Sequence, residues 1–289
     1  IPATLYDSLM ARLDRLSTVK EVAQLSATIG REFPYEVLRA ISPLDEATLQ
    51  RELDKLVEAE LLYQHGFPPQ ATYVFKHALI REAAYQSLLK STRQQYHRQI
   101  AQVLADRFPE LAESQPELLA LHYTEADLLP QAVPLWLQAG HKAMQRFANE
   151  EAIAHFNKGR ELVAFLPMTP ERIRQEIALC ISIAGPLIVL KGYAAAEVEA
   201  TCSRARDLCA QIGETPEAFP ALLGLFAFYA IRAELGTAQT LAEQALKIAV
   251  QSHDRTLLLA AHTSIGIPLF WAGELSSARK HWEDALALY

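Results

Sequence analysis

Cysteine and glycine are both scarce in this chain, and each scarcity excludes something. Three cysteines in 289 residues cannot build a disulfide framework. Cys180, Cys202 and Cys209 all lie in apolar, helix-like stretches and read as reduced core thiols. Glycine numbers 11, while Ala and Leu dominate, which favours helices over sheets. No run of about eighteen apolar residues appears, and no charged-then-apolar leader opens the chain. The expected compartment is therefore the cytoplasm, with no membrane partner. A formal net charge of -7 argues against a surface given over to nucleic acid or anionic lipid.

Signatures of chemistry are missing as well. There is no GxxxxGK[ST], no GxGxxG after a strand, no HExxH, no CxxC and no GxSxG. Among the histidines, His77, His97, His122, His141 and His155 fall in different helical stretches with no i, i+4 pairing. The expectation is a chain with no catalytic residues, no metal and no cofactor of its own. Cys202 and Cys209 share one helical face and read as small hydrophobes rather than a redox pair. Trp136, Trp271 and Trp282 read as core rather than as a stacking platform. Arg232, Arg255 and Arg279 read as solvated faces or hairpin salt links, or as the lining of a concave surface.

What is present is helical pattern. In residues 1–90, LYDSLMARLDRL is helix-like, and Thr18-Val-Lys-Glu21 has the spacing of a capping box opening a second helix that Gly30 ends. A short third helix is expected around Pro34–Ile41. Asp45 then caps a stretch whose Leu49, Leu53, Leu56 and Val57 form one apolar stripe. LLYQ, a turn through His65-Gly66-Phe67-Pro68-Pro69, and ATYVF predict a two-stranded β-ribbon. Three helices and then a ribbon is winged-helix order, and the amphipathic HALIREAAYQSLL closes the unit.

From Ser91 on, about ten helices follow with short breaks. Ser91–Gln94 and Ser114–Glu117 have capping-box spacing, and Asn149 is placed to cap the helix after it. Thr169-Pro170-Glu171 and Thr215-Pro216-Glu217 each set a hydroxyl before a first-turn proline. Shifting the sequence by about 40 positions superposes Glu234 on Glu274, Leu235 on Leu275, Ala238 on Ala278, Glu243 on Glu283, Ala245 on Ala285 and Leu246 on Leu286. A further shift brings Val198, Cys202 and Ala205 onto Ala238, Ala242 and Ala245. Small residues let the two helices of a hairpin approach, and a bulky one fills the groove a turn away.

This alternation resembles the tetratricopeptide repeat. Gly266, Gly273, Ala278, Trp282 and Ala285 carry it best, with Trp136, Gly140, Ala143, Ala152, Phe156 and Gly159 as a second match. The fold class read from the sequence is thus mainly all-α. A winged-helix-like head (1–90) carries a small β-ribbon, and a tetratricopeptide-type α-solenoid of about five hairpins (91–289) follows, its last hairpin truncated.

ATIGREFPYEVLRAI, LDKLVEAELL and FKHALIREAAYQSLL, with the later PELLALHYTEADLLPQAVPLWLQAG and NEEAIAHFNKGREL, resemble the region after the nucleotide-binding domain in STAND-class signalling ATPases. The likeness is strongest to bacterial members that join an AAA-type ATPase and tetratricopeptide repeats to class III adenylate or guanylate cyclase domains. The resemblance implies ATP-binding and an ATPase before Ile1, further repeats after Tyr289, and signal transduction through protein–protein interaction. ATP or ADP would belong to the parent protein, and a protein or peptide to the concave face of the repeats. It also implies a role for His77, which stands where the family's Met-His-Asp motif places a histidine on the ADP phosphate, with Lys76 and Arg81 nearby. The chain departs from that motif at Ala78, where the family has Asp.

Two local charge patterns bear on partners. Lys76, Arg81, Lys90, Arg93 and Arg98 stand against Glu82 alone, either as a solvated helix pair or as a contact for phosphates or an acidic domain. Asp45, Glu46, Glu52, Asp54, Glu58 and Glu60 stand against Arg51 and Lys55 in the stretch where a DNA-reading winged helix carries its recognition residues. The alternative reading, a DNA-binding transcription regulator with a repeat sensor, requires that acidic helix to face phosphates. A mobility-shift assay at low salt is expected to show no retardation of duplex DNA, a condition under which even non-specific binders bind.

Overall fold

In a computed structural model the structure describes residues 17–212 and 216–289, with side chains described from residue 19 on. The helix-like stretch at residues 5–16, the Thr18 side chain and the Thr215 cap lie outside the described residues. The chain divides into two compact units, Ile1–Ala132 and Val133–Tyr289, so the first continues past residue 90. Among the described residues there are fifteen helices and one three-stranded sheet. The fold is mainly all-α.

The first unit begins with α1 (Ser17–Ile29), β1 (Glu32–Pro34), α2 (Tyr35–Ile41), α3 (Glu46–Glu58), β2 (Leu62–His65), β3 (Thr72–Phe75) and α4 (Ala78–Gln86). Asp45 caps α3 as expected, its Oδ1 accepting from the Thr48 amide at 3.0 Å. Leu49, Leu53 and Leu56 are fully buried beneath that helix. The ribbon gains a third member, because β1 pairs antiparallel with β3 and the order is β1-β3-β2. Phe33, Tyr73 and Phe75 from two of these strands are buried together, the Phe33 and Tyr73 rings stacked at 5.8 Å. Gly30 follows α1 but its φ is not left-handed. A Cβ there would meet the Glu32 carbonyl at 3.2 Å, so close backbone approach, not a left-handed cap, accounts for the glycine.

The unit continues with α5 (Lys90–Arg107), α6 (Pro109–Ser114), α7 (Pro116–Glu125) and the start of α8 (Leu129–Gln145). Two expected caps shift here. Leu89 rather than Ser91 is the N-cap of α5, and Gln115 rather than Ser114 that of α7, neither with a side-chain cap bond. Both helices are held by packing, through the buried Ile100, Ala101, Leu104, Leu119 and Ala120, and packing outweighs a cap worth about 1 kcal/mol.

The second unit runs through the rest of α8 to α9 (Asn149–Val163), α10 (Pro170–Lys191), α11 (Ala196–Ile212), α12 (Ala218–Ile231), α13 (Leu235–Ser252), α14 (Arg255–Trp271) and α15 (Leu275–Leu288). Each helix from α9 to α15 packs chiefly on its sequence neighbours, the contact pattern of a solenoid. Thr169 caps α10 as expected, accepting from the Arg172 amide at 3.2 Å with Pro170 in the first turn. Asn149 instead is the first helical residue of α9, and Ala148 is its N-cap. The superposed alanines are buried: Ala238, Ala242, Ala245, Ala278 and Ala285, together with Val198, Cys202 and Ala205.

Counter to the expectation from sequence, one helix, α10, is long and apolar enough by length and composition to cross a membrane. It packs against α9 and α11. It also carries the buried Arg172 and Glu176, paired at 3.2 Å, and Glu176 in turn accepts from Arg204 of α11. An ion pair tied to a neighbouring helix marks α10 as an inner helix of the stack.

The repeat depends on close approach. A Cβ on Gly140 of α8 would lie 2.2 Å from the Phe156 ring of α9, and one on Gly266 of α14 would lie 2.1 Å from Trp282 of α15. Phe156 is fully buried and has nowhere to go. Gly140→Ala is therefore expected to destabilise by about 1–3 kcal/mol through overpacking, despite a helix-propensity gain of up to about 1 kcal/mol. Gly236→Ala in α13 meets nothing within 4 Å and is expected to stabilise by about 0.5–1 kcal/mol. Urea unfolding of the two variants checks the opposite signs.

Candidate functional site

The sequence singles out Lys76, His77 and Arg81 around the start of α4. β3 ends at Phe75 and its backbone hands directly to α4, so His77 becomes the N-cap residue, extended at φ -131 and ψ 139, with no side-chain cap bond. Its imidazole is exposed. Lys76 is tied down: its Nζ lies 3.3 Å from Glu60 and 5.4 Å from the centroid of the Tyr63 ring. Arg81 turns inward, its Nε donating to the Ala27 carbonyl at 2.9 Å.

Of the five clustered bases, the structure brings two together. The guanidinium groups of Arg81 and Arg93 each sit 5.2 Å from the Tyr85 ring centroid, an arrangement that favours cations on an aromatic face. Arg93 also donates to Gln86 at 3.2 Å. Lys90 and Arg98 are exposed.

Behind the two arginines lies a polar chain that the sequence did not reveal. Tyr85 Oη is 3.0 Å from His97 Nε2, and His97 Nδ1 is 2.8 Å from His122 Nδ1. Tyr85 comes from α4, His97 from α5 and His122 from α7, so the chain ties three helices. Both histidines are buried, and His122 Nε2 has no partner. If His97 donated to His122, that orphan would be a buried N–H. With His122 donating to His97, and His97 to the Tyr85 oxygen, the orphan is a bare lone pair, the better tolerated of the two.

Neither histidine readily takes a proton. Burial, then the charges of Arg81 and Arg93, push His97 down to about 4. Burial, then His97 and Arg81, push His122 down to about 3. A spacing of 25 residues between the two follows no helical period, which is why no motif scan finds the pair. The cysteines behave as the sequence reading has them. All three are buried and none is in a disulfide, burial pushes Cys202 up to about 11, and a Cβ on Gly224 would meet its sulfur at 2.5 Å. Such a thiol is a packing element, not a nucleophile.

On the second unit, α14 and α15 present the exposed Phe270, Trp271, Leu275, Trp282 and Leu286. Phe270, Leu275, Trp282 and Leu286, with Arg279 and Glu283, line a groove of about 380 Å³. Trp271 is thus a surface residue rather than core, and Trp282 lies at the rim, its indole donating to the Thr263 carbonyl at 3.3 Å. The three arginines noted above form local links: Arg232 to Glu234, Arg279 to Glu283 and Arg255 to the Leu288 carbonyl.

No protein-family model matches the chain. An uncharacterized protein of Rhizobium meliloti (strain 1021) is 29% identical over 188 residues, which is 64% of this chain and 18% of that protein. The chain thus spans less than a fifth of that relative's length. Among solved structures, BtubC (BKLC) from P. vanneervenii superposes with a TM-score of 0.54 at 13% identity, covering 87% of this chain and 90% of that one. At that identity the likeness is one of fold. A signal transduction ATPase with numerous domains (STAND) protein with a tetratricopeptide repeat sensor, from Pyrococcus horikoshii, superposes with a TM-score of 0.47 at 10% identity, covering 93% of this chain and 50% of that one.

The histidine pair makes the first unit acid-sensitive. Both folded-state values lie below the ordinary histidine value of about 6.5, so as pH falls below it the unfolded chain binds protons that the folded one refuses. Stability is then unchanged above about pH 6.5 and is lost between there and about pH 3, the lower of the two folded-state values. Urea unfolding followed by circular dichroism is expected to show a loss on the order of 4 kcal/mol between pH 7 and pH 5, about 2 from each histidine. His122→Leu removes roughly half of that pH dependence.

Proposed function

We propose that this chain is a regulatory and protein-interaction region of a multidomain, ATP-dependent signalling protein. In this reading the first unit couples to an ATPase domain elsewhere in the parent, which is itself a candidate nucleotide cyclase, and the helical hairpins of the second unit sense a protein or peptide. The chain performs no catalysis. One observation carries the reading: the helices from α9 to α15 form a sequential stack, each packed chiefly on its chain neighbours. A stack of hairpins gives an extended surface on which a polypeptide is read.

For the first unit, support comes from His77. It is exposed at the start of α4, where an imidazole N–H and the free amides of a helix start can both face a phosphate oxygen. ADP bound at the parent's nucleotide site would be held through this contact, and its release would free the unit. Lys76 and Arg81 support the position, Lys76 by its pair with Glu60 and Arg81 by anchoring α4 to the Ala27 carbonyl. The acidic α3 speaks against the DNA-binding reading, since Asp54 and Glu58 are exposed on it and meet phosphates unfavourably.

The test uses the full-length parent. His77→Ala is expected to speed release of ADP by at least about tenfold, the loss of one charge-assisted contact, with the fold unchanged by circular dichroism. The chain alone is expected to turn over no ATP. Sustained ATP hydrolysis by the chain alone would overturn the proposal, as would unchanged ADP release in the variant for the role of His77.

A further inference from the structure

A second histidine pair lies on the α14–α15 hairpin, and its surroundings differ from those of the first. His262 Nδ1 and His281 Nδ1 face each other at 3.0 Å, and the Asp284 Oδ2 lies 4.0 Å from His262 Nδ1. One donor atom from each of the three falls within 4.8 Å of the others. His281 and Asp284 are three residues apart on α15 and so share a face, while His262 comes from the facing helix. Both histidines are half-buried and Asp284 is exposed, so the group is open to solvent on its carboxylate side.

We propose that His262, His281 and Asp284 form a site for a divalent transition-metal ion, zinc before others, that clamps α14 to α15. Ligand atoms about 2.0–2.1 Å from a tetrahedral ion stand about 3.3–3.4 Å from one another. The imidazole separation is about 0.3 Å short of that and the His262–Asp284 separation about 0.6 Å long, differences that side-chain rotation absorbs. Two imidazole nitrogens and one carboxylate oxygen suit zinc, cobalt or nickel, and do not suit calcium or magnesium, which take oxygen ligands. Three protein ligands leave the fourth position to water at the exposed edge.

The frame holding these ligands is rigid. Thr263, beside His262, accepts from the indole of Trp282, beside His281, at 3.3 Å, and Trp282 lies against Gly266. The two histidine backbones are thus fixed opposite each other before any ion arrives, which lowers the cost of binding. The contrast with His97 and His122 is instructive. That pair is closed to solvent, has Tyr85 as its neighbour, and belongs to no metal-holding group among the described residues.

Calorimetric titration of the metal-free, untagged chain with zinc at neutral pH tests this. It is expected to show one ion bound per chain, with cobalt giving the visible absorption of a tetrahedral centre. His281→Ala or His262→Ala is expected to weaken binding by more than about tenfold. Asp284→Asn, a surface change that leaves the packing alone, weakens it less and alters the cobalt spectrum. Absence of binding in the unaltered chain overturns the site, as does equal binding in the His262→Ala/His281→Ala double variant. Because this readout involves neither nucleotide nor peptide, it stands apart from the proposed regulatory role.

Discussion

Close approach between paired helices is the constraint on which the second unit depends. At Gly140 and Gly266 the partner's ring occupies the volume a Cβ would fill, within 2.2 and 2.1 Å of its position. The same relation recurs in a smaller form where Cys202 sits over Gly224. Each pairing sets one helix against the next at a distance decided by a missing atom, and the bulky member fills the groove so created. The buried alanines of α13 and α15 then complete the seam. Because each hairpin solves this problem locally, the unit grows by addition, and its surface is free to vary.

The first unit is held differently. Its sheet is too small to be an independent core, and its strands pack instead against the surrounding helices, with Phe33, Tyr73 and Phe75 buried. Farther along, α4, α5 and α7 are joined by the Tyr85–His97–His122 chain. A buried polar chain of this kind contributes specificity at the expense of acid tolerance. An aliphatic trio would pack as well, but it would not demand one register of three helices. The orphaned His122 nitrogen shows that the demand is met incompletely, and the neutral state of both rings is what makes the remainder tolerable.

Much of this was legible in the sequence, for identifiable reasons. Asp45 and Thr169 cap their helices because a side-chain oxygen beside a free amide is a local interaction, and local interactions can be read in order. The small-and-large alternation of the repeat was legible for the same reason, since its partners lie one hairpin apart. Ser91 and Asn149 misled because packing starts the helix earlier there, with the N-cap two residues before Ser91 and one before Asn149. β1 was missed because three residues carry too little alternation to register. The two histidine pairs were missed because residues 25 and 19 positions apart meet only through tertiary structure. Of the bases around α4, the sequence identified the cluster but not that Arg81 and Arg93 would share one ring.

The scarcity of glycine has a structural counterpart in the turns between helices. Asp127, Phe147, Ala233 and Gly273 each take a left-handed φ immediately before the N-cap of the next helix or its neighbour. In each turn the following amide reaches back five residues: Leu128 to Tyr123, Ala148 to Ala143, Glu234 to Tyr229 and Glu274 to Leu269. That is the bonding of a Schellman motif. The caps that follow at Ala148, Glu234 and Glu274 have nearly the same φ and ψ. A left-handed residue other than glycine costs about 1 kcal/mol, and only one of the four turns avoids it. The geometry is therefore imposed from outside the turn, by the two packed helices it joins, and the residue within it accepts the strain. Repetition of the turn without repetition of its residue is the reason the sequence period looks degenerate while the backbone period does not.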